Sequence, residues 1–337
     1  MINKFWFLIF LFGCSCTCLG QNVIGRVTIT PRIRVIVDND FSGDPDGLFQ
    51  LTHLLLSPSV EIRAIIGSHL KAGDGFDPSK TQAQNAANKA RELLQLINIK
   101  STIPVIAGSN TAMPNDSTPV KSEAVNFIVK EAMRTDTKLP LYLLCGAGLT
   151  EIASAALTTP QIADKLTLVW IGGPEYPDLA MPPPNYSNPE YNLNIDVAAA
   201  RAIFNRSAVP IWQVPRNAYR QALLPYAQLL LKVKPQGKVG SYLSSTLESL
   251  MTRLQTFVNI GETYILGDSP LVLLTALQSS FEADPSSSTY VMKTAPRINE
   301  QGAYEFNHNG RTIRVYTQLD VQLMFNDFFA KLELMNK

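Results

Sequence analysis

Asp38, Asp40, Asp44 and Asp46 place four carboxylates within nine residues of the run Asp38-Asn39-Asp40-Phe41-Ser42-Gly43-Asp44-Pro45-Asp46-Gly47. At neutral pH such groups repel one another unless a cation compensates them. Hard oxygen donors at short range suit Ca²⁺ or Mg²⁺. Asp, Asn, Gly and Pro also build ordinary turns and helix caps, but a turn accounts for one or two of these aspartates, not four. Three further segments could carry chemistry. In Cys145-Gly146-Ala147-Gly148-Leu149-Thr150 the glycines allow a ligand close to the backbone, within reach of the Cys145 carbonyl. Glu190-Tyr191-Asn192-Leu193-Asn194 alternates polar side chains at the end of the Pro-rich stretch 173–189. Gly267-Asp268-Ser269-Pro270 reads either as a helix start, with Ser269 as cap and Pro270 in the first turn, or as a device that presents Asp268 to a site. The three histidines, His53, His69 and His308, include no pair at metal-ligand spacing, which argues against a histidine-built zinc site.

These segments can act together only if the fold gathers them. Apolar runs that read as strands (33–37, 62–66, 105–107, 141–144, 166–171 and 209–214) alternate with stretches of helical spacing. The helical pattern begins at Leu48, Leu51, Leu54 and Leu55 and recurs over 81–97, 122–133, 149–157 and 197–204. Such alternation predicts an α/β single domain with a mostly parallel central sheet flanked by helices. Ligands of open α/β sheets bind beyond the carboxyl ends of the strands. The aspartate run follows the first strand and Cys145-Gly146 follows the fourth. His69 follows the second, which makes it a candidate at the same edge, whereas His53 falls on an apolar helix. Residues 219–256 read as helical throughout, Asn309-Gly310 signals a hairpin between 303–306 and 312–316, and a last amphipathic helix carries Leu323, Phe325, Phe328, Phe329 and Leu332.

Composition limits the function classes. With 46% hydrophobic and 17% charged residues the chain buries enough apolar surface to fold. Lys+Arg 29 against Asp+Glu 28 leaves a net charge of +1, without the cation excess a nucleic-acid polymer would need. Lys4, the apolar run 5–12 and small residues up to Gly20 read as a signal peptide over 1–20, leaving a domain over 21–337. The run is short of the roughly 20 residues that span a bilayer, so no transmembrane segment is expected. The predicted location is secreted or periplasmic, and Leu11-Phe12-Gly13-Cys14 offers lipidation at Cys14 as the alternative. Cys14, Cys16 and Cys18 fall in the leader, so Cys145 alone remains and no internal disulfide is expected.

Two families resemble parts of this pattern. Asp-x-Asp after a strand with a later Gly-Asp-Ser is similar to the haloacid-dehalogenase phosphatases. Pro270-Leu271-Val272-Leu273 lacks that family's further Asp, however, and its lysine has no counterpart. A fuller resemblance, over nearly the whole of 21–337, is to the inosine-uridine-preferring nucleoside hydrolases. Asp38-Asn39-Asp40 with Asp44 and Asp46 resembles their D-x-D-P-G-x-D-D, and Ile103-Pro104-Val105-Ile106-Ala107-Gly108 resembles their third-strand segment. Leu149-Thr150-Glu151-Ile152-Ala153 resembles G-P-L-T-N-[IV]-A, with Glu151 in place of Asn. Ile171-Gly172-Gly173 resembles M-G-G, and Glu190-Tyr191-Asn192 resembles E-[FY]-N.

The resemblance implies Ca²⁺-dependent hydrolysis of the N-glycosidic bond of ribonucleosides or related ribosides, releasing ribose and base. It implies that Asp40, Asp46, Asp268 and the Cys145 carbonyl hold Ca²⁺, that Asp40 is the general base, and that Asp44, Glu190 and Asn192 bind ribose. Because Pro45 splits the paired aspartates, Asp44 and Asp46 can exchange these roles. A homodimer or homotetramer is implied as well. Gly267 replaces the family's histidine near the leaving base, and His69 is the candidate to act on the substrate in its place. Trp212 and Tyr219 could stack on a base, with core packing the competing role for Trp212. The alternative expectation is a catalytically degenerate riboside- or Ca²⁺-binding protein.

Overall fold

The computed structural model describes residues 27–98, 102–184, 186, 189–279 and 287–336. The leader expected at 1–20, with Cys14, lies outside the described residues. The apolar runs form β1 (Ile33–Asn39), β2 (Val60–Gly67), β3 (Val105–Ala107), β4 (Leu141–Cys145), β5 (Leu166–Ile171) and β6 (Ile211–Val214). Later strands are β7 (Leu223–Pro225), β8 (Thr263–Ile265), β9 (Thr289–Thr294), β10 (Arg297–Ile298), β11 (Tyr304–Glu305) and β12 (Thr312–Gln318). The helices are α1 (Asp46–Leu55), α2 (Gln82–Ile97), α3 (Glu123–Ala132), α4 (Thr150–Thr158), α5 (Tyr191–Ile195), α6 (Val197–Arg201), α7 (Arg216–Tyr219), α8 (Tyr226–Gln228), α9 (Gly237–Leu254), α10 (Pro270–Leu273) and α11 (Val321–Met335).

The main sheet has eight strands in the order β3-β2-β1-β4-β5-β6-β12-β9, parallel throughout except for the edge strand β9. Alternation along each strand divides its side chains between two cores. Val35 and Val37 of β1 enter the core beneath α1, α9 and α11, while Ile36 enters the core beneath α3 and α4. Both faces are therefore covered, as a parallel sheet requires. The strand order reverses between β1 and β4, and a crevice at such a reversal is where open sheets bind ligands. Among the described residues no helix is long and apolar enough to cross a membrane.

Two local expectations fail. Residues 219–256 are not one helical stretch: β7 interrupts them and pairs antiparallel with β8. Pro225 ends that strand without an N–H to donate, and Pro235 separates α8 from α9. The hairpin expected around Asn309-Gly310 does not form either. Residues 304–305 pair with β10, and β12 pairs with β9 and β6 instead. Burying Ile313 and Val315 in the main core draws β12 into the large sheet, and this tertiary gain outweighs the local turn signal.

Candidate active site

β1 delivers Asn39 and Asp40 to the carboxyl edge of the sheet, and the following turn, closed by the Gly43 N–H donating to the Asp40 carbonyl at 2.6 Å, carries the chain into α1. Asp44 accepts from the Asp46 N–H at 3.2 Å, and the Tyr264 hydroxyl donates to its other carboxylate oxygen. Asp46 opens α1 and accepts the Asp268 N–H at 3.1 Å, which ties the aspartate loop to the segment before α10. The Asn39 amide donates to Asp268 Oδ2 at 2.9 Å. Gly146 and Gly47 are small because Asn39 lies against both: a Cβ at Gly146 would stand 2.5 Å from Asn39 Nδ2, and one at Gly47 2.9 Å from it. The Ser269 hydroxyl accepts no backbone N–H of α10, so the segment presents Asp268 without the capping bond expected of it.

These aspartates line one side of a cavity of about 510 Å³ together with Glu190 and Asn192. Glu190 is fully buried: one oxygen accepts the Gly173 N–H at 2.8 Å and the Leu193 N–H at 3.1 Å, and the other accepts the Tyr219 hydroxyl at 2.9 Å. Asn192 Nδ2 donates to the carbonyls of Gly146 (3.0 Å) and Ile171 (2.8 Å), which joins α5 to the ends of β4 and β5. A strand end and a helix start thus fix each polar group before any ligand arrives.

Burial, and then mutual repulsion, raise the carboxyl pKa values. Asp40 and Asp46 lie well above the usual carboxylate range, because burial penalises the charge and Asp268 and Asp44 repel it. Burial pushes Asp44 up to about 6, opposed by the Tyr264 hydrogen bond, and pushes Asp268 up to about 7, opposed by the Asn39 bond. The donor chemistry, all hard oxygen with excess negative charge, suits a hard cation. The side chains are not gathered into a preformed cage, however: among the described residues no set of three or more His, Cys, Asp or Glu groups stands ready to hold a metal ion.

Asp40, Asp44, Asp46, Asp268, Glu190 and Asn192 therefore meet at one cavity, while His69 stands elsewhere. His69 is buried outside the cavity lining, with Nδ1 2.8 Å from the Leu70 carbonyl and Nε2 2.9 Å from Thr150 Oγ1, so both ring nitrogens are engaged. Cys145, expected to act through its carbonyl, ends β4 with Sγ 4.0 Å from Asp38 Oδ2, and the adjoining Gly146 lines the cavity. Trp212 packs against the core and lies 5.2 Å from the Tyr142 ring, centroid to centroid. Sequence reasoning missed Tyr264, Arg216 and Arg220, which also line the cavity. Arg216 directly follows Val214-Pro215 at the end of β6, and inspection of every strand end would have found it. Tyr264 lies on a three-residue strand, which carries no usable periodicity.

The comparisons agree with this architecture. Residues 35–326 match the inosine-uridine preferring nucleoside hydrolase family. A purine-preferring ribonucleoside hydrolase from Gardnerella vaginalis superposes with a TM-score of 0.70 at 21% identity, covering 90% of this chain and 99% of that one. A plant nucleoside hydrolase superposes at 0.68 and 20% identity with the same coverages. An inosine-uridine preferring nucleoside hydrolase from Bacillus anthracis gives 0.63 and 18%, covering 89% and 99%. No curated protein matches the sequence. At these identities the structural likenesses carry the fold, and the family match carries the class of chemistry. The chain belongs to the inosine-uridine preferring nucleoside hydrolase family and, at that level, is a hydrolase of ribosides.

Proposed function

We propose that the protein hydrolyses the N-glycosidic bond of ribosides with the help of Ca²⁺, releasing ribose and the free base. The convergence of Asp40, Asp44, Asp46, Asp268, Glu190 and Asn192 on one cavity at the strand-order reversal carries this reading. Asp40, Asp46 and Asp268, with the Cys145 carbonyl, are the groups that would hold the cation. Bound there, Ca²⁺ supplies the positive charge that acidifies the attacking water and offsets the repulsion among the carboxylates. Asp40 takes the water proton, the water oxygen bonds to C1′, and the C1′–N electron pair leaves with the base, which takes a proton from solvent. Asp44, Glu190 and Asn192 orient the ribose hydroxyls, with Tyr219 and Tyr264 holding two of these carboxylates in place. An exported chain would carry out this reaction outside the cytoplasm, in the periplasm, and a homodimer or homotetramer is the proposed assembly.

Gly267 gives a second reading a foothold. It projects no side chain toward the leaving group, and a Cβ there would stand 3.3 Å from Asp46 Oδ2 and 3.3 Å from Tyr219 Cδ2. A protein with no acid at this place binds ribosides without turnover unless the leaving group departs unaided. Comparing inosine with nitrophenyl riboside separates the readings. Turnover of the nitrophenyl compound well above inosine, lost in Asp40→Ala, supports a hydrolase with weak leaving-group activation. Equal rates refute weakened activation, and no turnover of either refutes hydrolysis.

A further inference from the structure

The cavity lining carries both signs of charge: beside the carboxylates stand Arg216, which opens α7, and Arg220, which directly follows it, one helical turn apart. Arg216 is 1% exposed, and its Nε and Nη2 form a two-pronged ion pair with Glu175, Nε at 2.6 Å. The Tyr186 ring covers the guanidinium, 3.9 Å from centroid to Cζ. Nη1 is left buried without a hydrogen-bond partner among the described residues. Arg220 also lines the cavity and forms no ion pair or side-chain hydrogen bond among the described residues.

A buried N–H donor without an acceptor is costly, and in a native fold it calls for an explanation. A ligand acceptor supplies one. β6, which leads into α7, lies three strand spacings from β1, about 14 Å along the sheet. Tyr219 of α7 donates to Glu190, so a ribose held at the carboxylates brings a group that the sugar carries against the cations beside Tyr219. Glu175 neutralises one guanidinium, and among the described residues nothing neutralises the other. The preferred occupant is anionic, because charge-assisted bonds to guanidinium are the strong ones and planar oxyanions match its geometry.

We infer that Arg220 and Nη1 of Arg216 receive an anionic group on the aglycone, so that the substrates are ribosides with an acidic leaving group. The inference rests on the riboside reading above, and it names the substrate class for that same site. The cation of Arg216 is held by Glu175 and Tyr186, while Arg220, half-buried and without an ion pair among the described residues, is placed to close on the oxyanion.

A matched pair tests this: the pyridinium riboside with a 3-carboxylate and the same compound with a 3-carboxamide, which share a leaving-group type and differ in charge. Ribose release and calorimetric binding are measured with the full-length protein in Ca²⁺. Wild type is expected to favour the carboxylate roughly tenfold or more in both kcat/KM and Kd. Arg220→Gln is expected to reduce the preference to about twofold or less, and Arg220→Lys to retain part of it. Because Arg220 has no partner to lose, an unchanged thermal midpoint verifies that Arg220→Gln still folds. No preference, or one indifferent to Arg220→Gln, overturns the inference. So does an Arg220-dependent gain for the 5′-phosphorylated carboxamide over the carboxylate riboside, which would assign the cations to a 5′-phosphate. If neither riboside is cleaved yet binding shows the Arg220-dependent preference, hydrolysis fails and the inference stands; cleavage of both at equal rates with equal affinities does the reverse.

Discussion

Replacing Asp268 by Asn should stabilise the metal-free protein and destabilise it relative to wild type once Ca²⁺ is added. Burial and neighbouring carboxylates hold Asp268 at about 7, against an ordinary value of 3.8. A carboxyl whose pKa is raised on folding opposes folding in full at pH values above the folded value, and this penalty fades as pH falls from there to the unfolded value. Three pKa units correspond to about 4 kcal/mol at most. Asp40, Asp44 and Asp46 share that repulsion, so removing one charge should recover roughly 2–4 kcal/mol at pH 8. Asn keeps the shape of the site: the Asn39 amide can donate to its oxygen, and the backbone N–H that Asp46 accepts is untouched. Unfolding of about 300 ordered residues at ~2.1 cal/mol/K each shifts the midpoint by ~1.5 °C per kcal/mol, which predicts an increase of about 3–6 °C. Scanning calorimetry in chelator at pH 8 and at pH 5 measures it. At pH 5 wild-type Asp268 is protonated when folded but still largely ionised when unfolded, so the difference should fall to under half of its pH 8 value. A lower midpoint in chelator at pH 8, or undiminished Ca²⁺ stabilisation of the variant, would refute the reasoning.

Three further substitutions probe the same neighbourhood. Gly267→His needs its neighbours to give by a few tenths of an ångström; it should raise kcat/KM for inosine roughly tenfold and add an alkaline limb to its pH–rate profile, and an unchanged profile would show that position 267 does not reach the leaving group. His69→Ala strips hydrogen-bond partners from Thr150 and the Leu70 carbonyl; denaturant titration should give a loss of about 1–3 kcal/mol with no change in the pH dependence of kcat, and a lost pH limb would make His69 catalytic after all. Glu151 is buried with Oε2 unpartnered and is pushed up to about 8 by burial and by Asp38. Glu151→Gln should therefore gain roughly twice as much stability at pH 9 as at pH 6 and almost nothing at about pH 4, below the ordinary carboxyl value, and an equal gain at all three would place its cause in packing rather than charge.

The parallel core of the fold was legible because β1, β2, β4 and β5 are short apolar runs separated by helices with buried faces, a pattern with few alternative arrangements. The C-terminal third was not. The signal at Asn309-Gly310 is local, whereas β12 is fixed by Ile313 and Val315 entering a core assembled from distant segments. The six polar residues at the cavity were legible because their types are costly to bury without a purpose and strand ends place them at one edge. His69 also follows a strand, but sequence does not reveal that Leu70 and Thr150 already occupy its ring nitrogens. Arg216 escaped notice because a lone arginine after a strand reads as a solvated charge until its burial, its Glu175 clamp and its Nη1, unpartnered among the described residues, are seen together.

The most direct test of the proposed chemistry is product analysis by NMR of the protein with a panel of ribosides, in chelator and after Ca²⁺ is restored. Free ribose and free base should appear in equal amounts, stop in chelator and resume with Ca²⁺. Release that ignores the chelator would contradict the cation's role, and bound ribosides that remain intact in Ca²⁺ would contradict hydrolysis itself.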